Sequence, residues 1–228
     1  MVEHVFHCGL SQSQLQEMGD ERELQLHGPK ANVRLRLDDV RERLLEVEPE
    51  LLTDLAEIAV YVFAADCAVR RGGPKLENMG AAWRRNFRMV IAVRQPGTWR
   101  HPTCLAVLRE TLEFLTEDNW TFDFVELTDP PSIRRYLGLR DNVSDDAGGT
   151  SVVLFSGGLD SLAGAVQELN TTNRHVVLMS RQVGGLTDKR QQELAAELRE
   201  GYPRRVTHVP VSAGLTKETS AVEHTQRS

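Results

Sequence analysis

Apolar residues recur along the chain at different spacings, and each spacing predicts a different element. Val33-Arg34-Leu35-Arg36-Leu37 alternates strictly, which predicts a strand with one wet face. Pro49 suits a first helical turn, and Leu52, Leu55, Ile58, Ala59, Val62 and Val69 follow at helical spacing. That helix is predicted to run to the stop signal Gly72-Gly73-Pro74. Phe87 to Val93 reads as a strand closed by Gln95-Pro96-Gly97, and Leu105 to Leu115 as a helix. Trp120, Phe122 and Phe124 alternate with Thr121 and Asp123, giving a further strand. The first half is expected to be a mixed α+β region without repeats.

The second half is more regular. Ser144-Asp145-Asp146-Ala147-Gly148-Gly149 is polar, acidic and glycine-rich, and is the expected linker. It divides the chain into residues 1–148 and 149–228. Val152-Val153-Leu154-Phe155 is an unbroken apolar run, read as a strand buried on both faces. A helix from about Ser161, a strand His175 to Ser180, a helix from about Asp188 to Arg199 and a strand Val206 to Val211 complete a βαβαβ unit. Such a unit implies a parallel sheet with right-handed crossovers and a ligand at the carboxyl ends of its strands. The expected class is α/β, with a Rossmann-like parallel-sheet domain in the second half.

Composition narrows the function classes. The formal net charge of −6 argues against a strongly basic nucleic-acid-binding surface. No apolar stretch reaches the length of a membrane span, and Met1-Val2-Glu3-His4-Val5-Phe6 lacks the basic and apolar regions of a leader. Cys8, Cys67 and Cys104 are far apart and odd in number, as expected of reduced thiols, and no Cys-x-x-Cys zinc site is present. The expectation is a soluble cytoplasmic protein with no membrane partner.

The chemistry is concentrated in Ser156-Gly157-Gly158-Leu159-Asp160-Ser161, between the apolar strand and helix formers from Leu162. A strand-to-helix turn presents free backbone N–H groups and the positive end of a helix dipole at one spot, which favours an anion. Gly157 and Gly158 let the backbone approach that anion, Ser156 and Ser161 add hydroxyl donors, and Asp160 offers a carboxylate for a metal ion or a helix cap. The string is neither a Walker A loop nor a Gly-x-Gly-x-x-Gly fingerprint. An ordinary glycine turn is the plainer alternative.

The six-residue string resembles the PP-loop of N-type ATP pyrophosphatases. Extended to Leu154-Phe155 and Leu162-Ala163-Gly164, it looks most like the 7-cyano-7-deazaguanine synthase family of queuosine biosynthesis, and closer still to synthase-like proteins of anti-phage systems such as Qat. The helix around Asp54-Leu55-Ala56-Glu57-Ile58-Ala59 and Ala64-Ala65-Asp66 resembles the extra α/β region of those relatives more loosely. The resemblance implies an adenine nucleotide alpha hydrolase-like domain that binds ATP and Mg2+. It places Ser156, Gly157, Gly158, Leu159, Asp160 and Ser161 around the β- and γ-phosphates, with Asp160 at the metal and Asp160 and Ser161 as the catalytic pair. It also implies adenine contacts from the backbone of Leu178, Met179 and Ser180, and an ATP or substrate contact from Arg227. The implied reaction is adenylation of a small-molecule carboxylate with release of pyrophosphate, then attack by a nitrogen nucleophile to form an amide or nitrile.

Three features depart from the synthases. Arg181-Gln182-Val183-Gly184-Gly185 stands where they show Tyr-Gly-Gln, and their four-cysteine zinc site has no counterpart. Thr225-Gln226-Arg227-Ser228 resembles the start of a second family motif at which the chain stops, so a C-terminally truncated ligase-like enzyme is expected. The rival readings are an adenylase acting on tRNA or a protein, including protein partners in a defence operon, and a non-catalytic ATP-binding assembly subunit. Elsewhere, Arg84, Arg85, Arg88, Arg94 and Arg100, interleaved with Trp83, Phe87 and Trp99, read as a solvated strand face with core partners before a nucleotide-binding surface. Asp66 reads as an i,i+4 partner of Arg70 before a buried site residue, and Lys189 and Arg190 as exposed first-turn cations.

Overall fold

The structure, a computed structural model, describes residues 2–18, 22–36, 49–72, 83–130 and 149–216. These fall into two compact units: 2–34, 49–130 and 214–216 in the first, and 35–36 with 149–213 in the second. Most of the expected linker, together with Gly73-Pro74 and Arg227, lies outside the described residues. No helix among them is long and apolar enough to cross a membrane.

The first unit is a parallel α/β sheet, which refines the expected mixed α+β region. Its elements are β1 (Glu3–Cys8), α1 (Gln12–Met18), β2 (Arg22–Leu24), β3 (Val33–Arg36), α2 (Pro49–Ala68), β4 (Asn86–Val93), α3 (Pro96–Trp99), α4 (Pro102–Thr116) and β5 (Asn119–Glu126). Strand β3 belongs to the other sheet. The order β2-β1-β4-β5 is parallel throughout, with Phe6 opposite Arg22 on one side and Met89 on the other, and Met89 opposite Phe122. Phe6, Phe87, Met89, Ile91 and Trp120 fill its core, and Phe87 stacks on Trp120 with centroids 4.3 Å apart.

Helix α2 presents a different face from the one its leucines predict. Leu52, Leu55 and Ala59 are exposed, whereas Thr53, Asp54, Glu57, Ile58, Tyr61, Ala64 and Ala65 are buried. The rotation follows from Arg94, a buried cation at the end of β4 that needs anionic partners. Arg94 Nη1 donates to Asp54 at 3.1 Å and to Glu57 at 2.8 Å, and its Nη2 donates to Glu57 at 3.0 Å. His27 Nε2 lies 3.2 Å from the same Glu57 carboxylate. Burial alone would raise the Glu57 pKa, but the bonds to His27 and Arg94 outweigh it and hold the carboxyl below its ordinary value.

A second buried network sits where β4 and β5 begin. Asp118 accepts from the N–H, Nε and Nη2 of Arg85 and from Arg71 Nη2, while Arg85 also bonds the Asp66 carboxylate. The expected Arg70 pairing of Asp66 therefore gives way to a bond across the fold. Arg85 and Arg94 are buried. Arg88 pairs with Asp123 across neighbouring strands, and Arg84 and Arg100 donate to the carbonyls of Glu117 and Phe124. Phe87 and Trp99 are core residues and Arg85 and Arg94 meet buried carboxylates, while Trp83, Arg84, Arg88 and Arg100 are exposed.

The second unit holds β6 (Thr150–Leu154), α5 (Leu159–Thr171), β7 (His175–Arg181), α6 (Gly185–Gly201) and most of β8 (Val206–Leu215). Strands β6, β7 and β8 are parallel, as the predicted βαβαβ unit requires. Ala165 and Leu169 of α5 and Ala195 and Leu198 of α6 pack with Phe155, Val176, Leu178 and Val206, so both helices cover one face. The sheet order is β3-β8-β7-β6. The bond from Thr216 N–H to the Asn32 carbonyl joins the end of β8 to the start of β3, which makes β3 the antiparallel member of a mixed sheet.

One expectation fails here. The apolar run Val152–Phe155 is not buried on both faces: Val152 is 52% and Leu154 77% exposed. Strand β6 is the edge of its sheet, and the doubly buried positions belong to its neighbour β7, where Val176, Val177 and Leu178 are all buried.

Two stability tests follow from the buried charges. Asp118→Ala removes the carboxylate that Arg85 and Arg71 share and strands the Arg85 backbone N–H in the interior, so urea unfolding should show a loss of about 3–5 kcal/mol. The lowered Glu57 pKa gives stability that is present above the ordinary glutamate range and lost as pH falls through the folded value. The stability gap between wild type and Glu57→Gln should therefore narrow in melts taken from about pH 5 to about pH 3.

Candidate functional site

Strand β6 ends at Leu154, and Phe155 extends the ladder by donating its N–H to the Met179 carbonyl at 2.7 Å. Phe155 is buried and meets the His208 ring edge-on. The chain then reverses through Ser156, Gly157 and Gly158, and α5 begins at Leu159 with Gly158 as its N-cap residue. Leu162 N–H donates to the Gly158 carbonyl at 3.1 Å, the first bond of the helix. Gly158 has no side chain with which to cap it, so the α5 N-terminus lacks a side-chain cap.

The hydroxyls of the turn bond one another. Ser156 Oγ and Ser161 Oγ are 3.2 Å apart, Ser161 Oγ donates to the Gly158 carbonyl at 3.0 Å, and Gly158 N–H reaches Ser156 Oγ at 3.3 Å. Asp160 stands exposed in the first helical turn. Among the described residues no acceptor is bonded to the N–H groups of Gly157, Leu159, Asp160 or Ser161.

The other strand-to-helix turns are different. After β1, Gln14 Oε1 accepts from Ser11 N–H at 2.9 Å. After β4, both Asp54 oxygens accept from Arg94 N–H, and Oδ2 also accepts from Gln95 N–H and Trp99 Nε1. After β7, Asp188 Oδ1 accepts from Val183 N–H at 2.9 Å and Gly184 N–H at 3.1 Å. In those turns a side chain of the protein occupies the position an anion would take. Among the described residues the β6–α5 turn has only the Ser156 hydroxyl in that role, at 3.3 Å from the Gly158 N–H, and no carboxylate or amide oxygen.

Helix α6 supports this turn from behind. Gly157 has φ +78°, and a Cβ there would lie 3.0 Å from Gln191 Cγ and 3.7 Å from the Gln191 backbone, so position 157 requires glycine twice over. Gln191 is 3% exposed, and its Nε2 donates to the Ser156 carbonyl at 3.1 Å. No sequence motif marks Gln191. Its signal is positional: Gln191, Leu194, Ala195 and Leu198 occupy i, i+3, i+4 and i+7 of one helix face, and Gln191 is the polar member.

The remaining site residues are distributed as follows. Ser156, Gly157, Gly158, Leu159, Asp160 and Ser161 form one continuous turn. Leu178, Met179 and Ser180 run along adjacent β7, with Leu178 and Ser180 buried and the Met179 carbonyl engaged by Phe155. Ser180 Oγ bonds His208 Nε2 at 2.8 Å, a partner not marked by the sequence. Burial, aided by Arg199, lowers the His208 pKa. Arg227 lies outside the described residues. Lys189 and Arg190 are exposed, and Lys189 pairs with Glu193 along α6.

Asp160 belongs to no group of three or more His, Cys, Asp or Glu side chains suited to a metal among the described residues. Magnesium beside a nucleotide commonly takes one or two carboxylates and completes its shell with phosphate and water, so a single carboxylate fits that ion. The uncapped N–H groups and the glycine at 157 fit a polyphosphate. In comparisons with known proteins, no family model matches the chain, and no curated protein or solved structure is significantly similar to it.

The two glycines should respond differently to a methyl group. Gly157→Ala combines a left-handed backbone with the Gln191 contact and should cost about 1–3 kcal/mol in urea unfolding. Gly158 has φ −84°, and its added Cβ would meet only Ser156 Oγ at 3.4 Å. Gly158→Ala should stay within about 0.5 kcal/mol of wild type in the same measurement.

Proposed function

We propose that the Ser156–Ser161 turn binds the polyphosphate of ATP and that the protein uses ATP as an AMP donor, releasing pyrophosphate. The observation that carries this reading is the uncapped turn at the carboxyl end of β6, whereas the turns after β1, β4 and β7 hold a carboxylate or amide oxygen of their own. Glycine at 157 permits the left-handed backbone that turns its N–H away from α6, with Gln191 packed behind it. The Ser-Gly-Gly-Leu-Asp-Ser string and its resemblance to the PP-loop specify which anion is expected.

In this reading the Gly157, Leu159 and Asp160 N–H groups and the two serine hydroxyls hold the β- and γ-phosphates. The bond between Ser156 Oγ and Ser161 Oγ and the bond from Ser161 Oγ to the Gly158 carbonyl must then both open so that the two protons turn to the ligand. Asp160 would hold Mg2+, which supplies charge neutralisation at the phosphate oxygens when bound. The backbone of Leu178, Met179 and Ser180 lies on the neighbouring strand, where adenine contacts are expected. The acceptor is a carboxylate, activated for attack by a nitrogen nucleophile as in 7-cyano-7-deazaguanine synthases and their defence-system relatives. The protein's contribution is positioning and charge stabilisation, because no side chain need become covalently bonded.

The alternative acceptor classes are a tRNA or a protein. The altered segment Arg181–Gly185, closed by Asp188, favours a substrate different from that of the synthases. Incubation with Mg-ATP and candidate carboxylates should release pyrophosphate and not orthophosphate. Asp160→Ala should lower that release by at least about tenfold, an effect of about 1.4 kcal/mol. Unchanged turnover in the variant would remove the site assignment. ATP binding without pyrophosphate release in wild type would select a nucleotide-binding assembly subunit.

A further inference from the structure

We infer that Gln191 is the positioning residue of the phosphate turn, setting the direction of the Ser156–Gly157 peptide so that its N–H is presented to an anion. This rests on the ATP reading above. A trans peptide points its C=O and N–H in opposite directions, and no described peptide bond is cis. Gln191 Nε2 holds the Ser156 carbonyl at 3.1 Å, which turns the Gly157 N–H away from α6. Rotating that peptide by half a turn would bring φ at 157 into the negative region, which glycine also accepts. The glycine that admits the phosphate therefore allows the wrong peptide orientation as well. In that orientation a carbonyl oxygen would face the anion and repel it.

Gln191 has features that suit it to choose between the two orientations. It is buried, so water competes little for its amide. It stands on α6, whose packing against the sheet through Ala195 and Leu198 fixes its distance from the turn. Its Cγ, Cα and N all lie behind Gly157, so carbonyl grip and steric backing come from the same residue. A glutamate here would present oxygens to the Ser156 carbonyl when ionised and would favour the flipped peptide. Protonated, the same side chain regains a donor.

The test uses the full chain with Mg-ATP, and with AMP as a probe lacking the β- and γ-phosphates. Affinities are measured by calorimetry at pH 8 and pH 5.5, each divided by the wild-type value at that pH, beside thermal unfolding without ligand. Gln191→Met, similar in length but without a donor, should bind Mg-ATP about tenfold more weakly at both pH values, with its AMP affinity unchanged. Gln191→Glu should be weakened at least as much at pH 8 and should recover at pH 5.5, because burial raises a carboxyl pKa. A merely structural role would lower the unfolding temperature and both affinities alike, with no recovery in Gln191→Glu, and would overturn the inference. Wild-type Mg-ATP affinity in both variants would overturn it while leaving the ATP reading intact. Absence of ATP binding by folded wild type would remove both.

Discussion

A strand of a parallel sheet that turns into a helix leaves backbone N–H groups at its carboxyl end, and those groups need acceptors. This constraint organises the chemistry of the protein. The turn after β4 meets it with Asp54, the turn after β7 with Asp188 and the turn after β1 with Gln14. The turn after β6 meets it only with the hydroxyl of its own Ser156, at 3.3 Å from Gly158 N–H. Identical backbone requirements with different side-chain solutions give an internal comparison, and among the described turns the β6–α5 turn is the one without a carboxylate or amide acceptor.

The same comparison explains why the first unit is a weaker candidate. Its strand order reverses between β1 and β4, which is where an open parallel sheet offers a crevice. There α2 inserts Asp54 and Glu57, Arg94 answers them, and Tyr61 approaches Gly9, whose added Cβ would lie 2.9 Å from the phenol oxygen. The protein's own side chains occupy the positions a ligand would use. Burying those carboxylates requires paired charges and a rotated helix face, so exposed Leu52 and Leu55 are a consequence of the network.

Most element types were legible in the sequence because local spacing determines them: α2, β4, α4, β5 and the βαβαβ order agree with the periodicity. Short elements such as β2, with three residues, carry too little pattern to be read. The exposure of β6 is not legible in its sequence, because an apolar run records what a strand tolerates, whereas edge position depends on partners far away in sequence. Asp66 was assigned to Arg70 by helical spacing, yet buried Arg85 brought its own demand from another element. The Ser156–Ser161 turn is legible because its distinctive residues are six consecutive positions. Gln191 lies thirty-five positions from Ser156 and becomes visible only when α6 is packed against the sheet.

That packing also joins the turn to the segment Arg181–Gly185. Asp188 accepts the N–H groups of Val183 and Gly184 and sits on α6 less than one turn before Gln191. Gly184 at φ +90° and Gly185 at φ +68° give the entry into α6 a backbone that other residues would strain. One rigid helical turn thus carries both the acceptor that closes the Arg181–Gly185 segment and the donor that holds the Ser156 carbonyl. A change in residues 181–185 cannot shift the start of α6 without moving Gln191 relative to Gly157. Substitutions at residues 181–185 leave the Ser156–Ser161 turn in place only while Asp188 keeps that register.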